Sequence, residues 1–254
     1  MKTLRYGSPL LIAAMLLASG CDLFKNDEEP EVATIAFHID NVVGGRNLAL
    51  NTGSYTNAAG QPFSVSLLEY IVTDIALHQA DGTVVDLEAA HYCNEADAAT
   101  HELHEIEIPA GAYTALTFTF GVKEDENTFG MLPNTTEFAN MMWPMMMPMG
   151  DGVTDRYHYM RFEGAYGDQG QTFRIHAGPS GGGDYSFDVS LPLAMDVESG
   201  ADVHMHVNMN VDQWLTGPNT WNFDDFGMIM GNPAAQSLVQ ANGSTVFTLG
   251  DVHF

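Results

Sequence analysis

This 254-residue chain is short of lysine and arginine, short of cysteine and short of helical periodicity, and each shortage closes off a class of function. Eight basic residues face 33 acidic ones, a formal net charge of −25. Such an excess excludes binding to nucleic acid or anionic lipid by surface charge. It keeps a protein soluble and draws cations toward it, while saying little about fold. Two cysteines, Cys21 and Cys93, allow one bridge at most. Catalytic signatures are missing as well: the sequence has no Gly-x-Ser-x-Gly, no His-Glu-x-x-His and no Cys-x-x-Cys. Nothing offers a nucleophile with its base, so a non-enzymatic protein is expected.

The N-terminus is laid out as a secretory signal. Lys2 and Arg5 precede the apolar run from Leu10 to Leu17, which is followed by Ala18-Ser19-Gly20-Cys21. That run is too short to span a bilayer. Small residues directly before a cysteine resemble a bacterial lipobox, which predicts removal of residues 1–20 and a lipid on Cys21. Without Lys2 and Arg5, six basic residues face 33 acidic ones, about −27 net. Residues 21–31, with Asn26-Asp27-Glu28-Glu29-Pro30-Glu31, read as an acidic tether that buries too little apolar surface to order itself. Lipidation of Cys21 leaves Cys93 as a lone thiol, for which burial is the simplest reading.

From Val32 onward, short runs of alternating or β-branched residues recur between Gly, Asn and Asp. Among them are Thr34 to Ile39, Tyr70 to Leu77, Tyr113 to Phe120, Tyr157 to Phe162, Thr172 to His176, Tyr185 to Leu191 and Val203 to Val211. This pattern predicts an all-β fold, an antiparallel β-sandwich with long loops and at most short helices, around Thr136 to Met142 and Val211 to Leu215. Asp81-Gly82 reads as a hairpin turn. Gly178 to Gly183 reads as a loop tip and not as a phosphate cradle. No internal linker divides residues 32–254, so one domain is expected.

Two features carry chemistry. Met141-Met142-Trp143-Pro144-Met145-Met146-Met147-Pro148-Met149 holds six methionines in nine residues. Its prolines exclude a regular helix or central strand, so a loop presents the thioethers, soft ligands suited to Cu(I). A Met-rich surface also docks on apolar partners, which keeps a metal-free interaction module in view. Histidines form the second feature. His38, His158 and His176 fall in predicted strands, and His204 and His206, two apart, project from one strand face as a plausible metal clip.

Taken in order, several pieces resemble the MbnP-like family of copper-binding proteins associated with methanobactin-type and copper-repressible systems. They are Phe63-Ser64-Val65, Leu68 to Ile75, the Asp81-Gly82 turn, Ile108 to Tyr113 with Phe120-Gly121-Val122, Met142-Trp143, Tyr157 to Gly164, His176-Ala177-Gly178 and Asn242 to Phe247. The resemblance implies an exported or surface-held all-β protein whose copper site combines histidine with a tryptophan oxidised to kynurenine by a partner dihaem cytochrome of the peroxidase type. Carried onto this chain, Trp143 is the residue for oxidation and His176 the leading ligand, with His38 or His158 completing the site. Where the family places a second aromatic after the tryptophan, this chain has Pro144-Met145-Met146-Met147. The expectation is therefore a lipid-anchored copper-capture protein of the cell envelope, facing periplasm or cell surface. Met145, Met146, Met147 and Met149 would pick up Cu(I) for an imidazole site. The rival is a module whose Met-rich loop docks on a membrane transporter or cytochrome.

Overall fold

Strict alternation decides which face of each strand is buried. In the computed structural model, which describes residues 31–52, 55–142 and 156–254, twelve strands and a few short helices account for the described chain. The strands are β1 (Val32–Val43), β2 (Arg46–Asn47), β3 (Tyr55–Thr56), β4 (Pro62–Gln79), β5 (Val84–Asn94) and β6 (Glu102–Pro109). They continue as β7 (Gly111–Phe120), β8 (Met160–Tyr166), β9 (Gln171–Ala177), β10 (Phe187–Val197), β11 (Asp202–Asn210) and β12 (Phe247–His253). The α-helices are α1 (Thr136–Asn140), α2 (Phe223–Phe226) and α3 (Pro233–Gly243), and Val211–Leu215 is a 3-10 turn. The expected signal, Cys21, nearly all of the tether, Trp143 and Met145 to Met149 lie outside the described residues.

Two sheets make an all-β sandwich. One runs β12-β11-β1-β2 with β6 also on β1; the other runs β10-β7-β4-β8-β9 with β3 and β5 also on β4. On β11, Val203, Met205, Val207 and Met209 are buried, while Asp202, His204, His206 and Asn208 point away from the core. On β10, Val189, Leu191, Leu193, Met195 and Val197 do the same for the other sheet. The faces meet through aromatic contacts such as Phe118 on Phe247, centroids 5.0 Å apart, and through the Tyr70 hydroxyl donating to Asn41 Oδ1 at 2.9 Å. Residues Glu31–Phe254 form one compact unit.

The pairing is antiparallel throughout except between β1 and β11, which run parallel in register from Thr34↔Asp202 to Val42↔Asn210. Strands this far apart in sequence are free of hairpin geometry, so antiparallel alternation along the chain does not reach them. The hairpin at Asp81-Gly82 forms, with the Thr83 amide donating to Asp81 Oδ1 at 2.8 Å and Gly82 at φ +93°. At Ser180 to Gly183 the loop closes on itself, the two end residues exchanging backbone hydrogen bonds of 3.1 and 3.0 Å around left-handed Gly181 and Gly182. This is a tight two-residue turn.

A bulge in β4 sets up the site described below. Val65 pairs with Gly164 and Leu67 with Glu163, so Ser66 is the extra residue. Before it the odd positions Phe63 and Val65 face inward; after it the even positions Leu68 and Tyr70 do. That change of parity turns Glu69 outward, opposite Arg161. Cys93 is buried, and burial pushes its thiol up to about 12, so it is no thiolate at neutral pH.

Candidate metal centre

The hairpin β8–β9 pairs Arg161 with His176 and Glu163 with Arg174. Alternation sends Phe162, Phe173 and Ile175 into the core and leaves Arg161, Glu163, Arg174 and His176 on the outer face of the larger sheet. There Glu163 Oε1 accepts from His176 Nε2 at 2.7 Å, with Arg174 Nε 3.6 Å from the other carboxylate oxygen. Arg161 donates to Glu69 at 3.0 Å, which closes a row of alternating charge.

His158 enters from the segment just before β8. The carbonyl of Met141, at the end of α1, accepts from both the His158 backbone amide at 2.7 Å and His158 Nδ1 at 3.1 Å. The two imidazoles meet edge to face, centroids 5.1 Å apart, and both residues are buried. Burial is the main cause of their lowered pKa values, and the neighbouring imidazole adds to it for His158, which falls to about 3. Glu163 partly offsets the fall at His176. Both rings are therefore neutral at pH 7, the form that binds metal.

Their tautomers follow from the acceptors. A carbonyl facing Nδ1 of His158 puts the proton there and the lone pair on Nε2; a carboxylate facing Nε2 of His176 puts its lone pair on Nδ1. Buried Nδ1 of His176 has no hydrogen-bond partner among the described residues. An imidazole held at one nitrogen by a protein acceptor, with the other carrying a lone pair, is the usual state of a histidine metal ligand. Imidazole donors of this kind suit copper as they suit zinc, iron and nickel. Among the described residues no three His, Cys, Asp or Glu side chains converge into a complete cage, so the pair needs further donors. Met142 bridges to Tyr157, beside His158, and is the neighbour in sequence of Trp143.

Acid should weaken the metal-free fold through this pair. An unfolded histidine takes up a proton near pH 6.5, whereas folded His158 resists until about 3. Between those values the unfolded state binds more protons, so stability is full above pH 6.5 and falls on acidification by about 1.4 kcal/mol per pH unit from this residue. Urea unfolding at pH 7.5 and 5.5 measures it, and His158→Gln should flatten the dependence. Equal slopes in the two proteins would clear His158 of that role.

The MbnP family model matches residues 32–232. The chain belongs to the MbnP family. Among solved structures it is similar to MbnP from Methylosinus trichosporium, at 12% identity over 72% of this chain and 77% of that one, with a TM-score of 0.49. No curated protein matches it. The MbnP match contains all five histidines singled out from sequence. Of these, His158 and His176 come together, whereas His38, His204 and His206 share the outer face of the other sheet. There His38 Nε2 lies 3.2 Å from His204 Nδ1.

Three positioning groups were not singled out from sequence: Glu163, the Met141 carbonyl and Gln236. Gln236, fully buried on α3, donates to the His176 carbonyl at 2.8 Å and accepts from the Gly178 amide at 3.2 Å, fixing the end of β9. Its helix carries a readable signal, Asn232 capping Ala235 N with Pro233 at the first turn.

Proposed function

We propose that this MbnP-family protein captures copper at the cell envelope, anchored by a lipid on Cys21, without being an enzyme. The single observation that carries the reading is the buried neutral pair His158 and His176, each ring oriented by a protein acceptor and His176 Nδ1 left without a hydrogen bond among the described residues. Trp143 and the methionines to Met149 follow Met142 directly in sequence and would add soft donors, for which Cu(I) is the preferred partner. A site of imidazole and thioether takes Cu(I) without waiting for a thiolate, so uptake would be insensitive to mild acid until the imidazoles protonate. The resemblance set out above adds a dihaem peroxidase-type cytochrome as the partner that would oxidise Trp143.

The test is metal content by mass spectrometry on the mature protein purified from its native host, together with the mass of the peptide holding Trp143. Near-stoichiometric copper supports capture, and a tryptophan peptide shifted to the kynurenine mass adds the oxidised ligand. A protein that holds no copper even after Cu(I) loading under reducing conditions rules the reading out and leaves docking through the Met-rich loop.

A further inference from the structure

The other sheet carries a second group of imidazoles. Parallel register between β1 and β11 sets His38 opposite His206 and Ala36 opposite His204, all on the outward positions. The His38 ring stacks on His206, centroids 4.4 Å apart, and meets His204 nearly head on, centroids 5.5 Å apart with the facing nitrogens at 3.2 Å. Each ring also has a carboxylate toward one nitrogen. Asp40 Oδ2 is 2.7 Å from His206 Nδ1, Glu102 Oε2 is 3.7 Å from His38 Nδ1, and Asp202 Oδ2 is 4.0 Å from His204 Nε2.

We propose that this face is a second metal site, a solvent-open clip for a divalent zinc-type cation formed by His38 Nε2 and His204 Nδ1. Two nitrogens bound about 2.0 Å from a tetrahedral ion stand roughly 3.3 Å apart. The observed separation is 3.2 Å. In the metal-free state that distance is a hydrogen bond between rings that face head on, so binding requires one imidazole to change tautomer and both rings to turn until their lone pairs converge on the ion. Glu102 and Asp202 lie on the far side of the two rings at 3.7 and 4.0 Å, beyond a direct hydrogen bond, and the other Glu102 oxygen is 2.8 Å from His104 Nδ1; what they supply is negative charge beside rings that would carry a cation.

The donors here are two imidazoles with no thioether, and nearby carboxylates add negative charge, which suits a borderline divalent ion better than Cu(I). No third side chain already converges with them among the described residues, so solvent completes the coordination and the ion exchanges readily. His206 is the nearest further imidazole, its Nδ1 side held by Asp40. A net charge of −25 concentrates cations at such an open face.

The probe is Zn(II), titrated by calorimetry into the full mature chain after chelator treatment. One Zn(II) per chain is expected, with His38→Ala and His204→Ala each removing that binding and Asp40→Asn leaving it in place. His176→Ala, which disables the copper reading, should bind Zn(II) as the parent does, so the two proposals fail separately. Histidine-labelled parent protein gives a reading without substitution: Zn(II) should move the ring nitrogen resonances of His38 and His204 and leave those of His158 and His176 in place. A parent chain that takes up no Zn(II), or one whose binding survives both alanine substitutions, overturns the site.

Discussion

Replacing His176 by alanine is expected to strip the mature protein of tightly held copper while leaving its strands intact. The side chain lies on the outer face of β9, so its loss opens no cavity between the sheets, where Phe173 and Ile175 pack. Glu163 keeps Arg161 and Arg174 nearby and is not left as an uncompensated charge. What disappears is one of two neutral imidazoles meeting at 5.1 Å, and the proposed site would lose half its nitrogen donors, with release of the metal on desalting as the expected result. Glu163→Gln should be milder. It keeps an oxygen acceptor but lowers the basicity of the ring, for about a 10- to 100-fold loss of affinity. Copper per chain by mass spectrometry, beside far-UV circular dichroism, separates the outcomes. Undiminished copper in His176→Ala would take this residue out of the site.

How far these sites could be read in the sequence depends on the distance along the chain that brings their parts together. His204 and His206 share one strand, and period two alone places them on one outward face. Their meeting with His38 rests on the parallel pairing of β1 with β11, across more than 160 positions, and no local pattern announces such a pair. His158 and His176 sit at neighbouring ends of one hairpin, close enough for the resemblance to bring both into view but not to choose His158 over His38. Geometry separates those two: His38 belongs to the other sheet. Glu163 was inside the matched Phe162-Glu163-Gly164 and still carried no assigned role, since in a chain with 33 acidic residues a single carboxylate is no signal. The strands were legible because one-sided burial imposes alternation. Gln236 was not, because a buried glutamine is identified by the backbone groups it satisfies, and these lie on β9.

The same matched tripeptide leads to the second large effect, on stability. Gly164→Ala should destabilise the fold by about 3 kcal/mol or more, because a β-carbon there would overlap the Ser64 carbonyl oxygen and come within 2.7 Å of the Phe173 ring. Neither neighbour can yield cheaply. Ser64 is backbone in the strand that runs through the middle of the larger sheet, and Phe173 is fully buried against Phe223, centroids 4.6 Å apart. For a domain of this size the loss corresponds to a fall in Tm of about 6–12 °C. The position also bears on the metal centre, since Gly164 pairs with Val65 at the edge of the bulge and the next residue back, Glu163, holds His176. A relaxation that moves β8 away from β4 would carry Glu163 with it, so surviving folded Gly164→Ala should hold copper less tightly than the parent. Thermal unfolding followed by circular dichroism, with copper content on the folded fraction, tests both links. A variant melting within a degree or two of the parent would mean that the strands can part at this point without cost, and the close approach would then not be what requires glycine here.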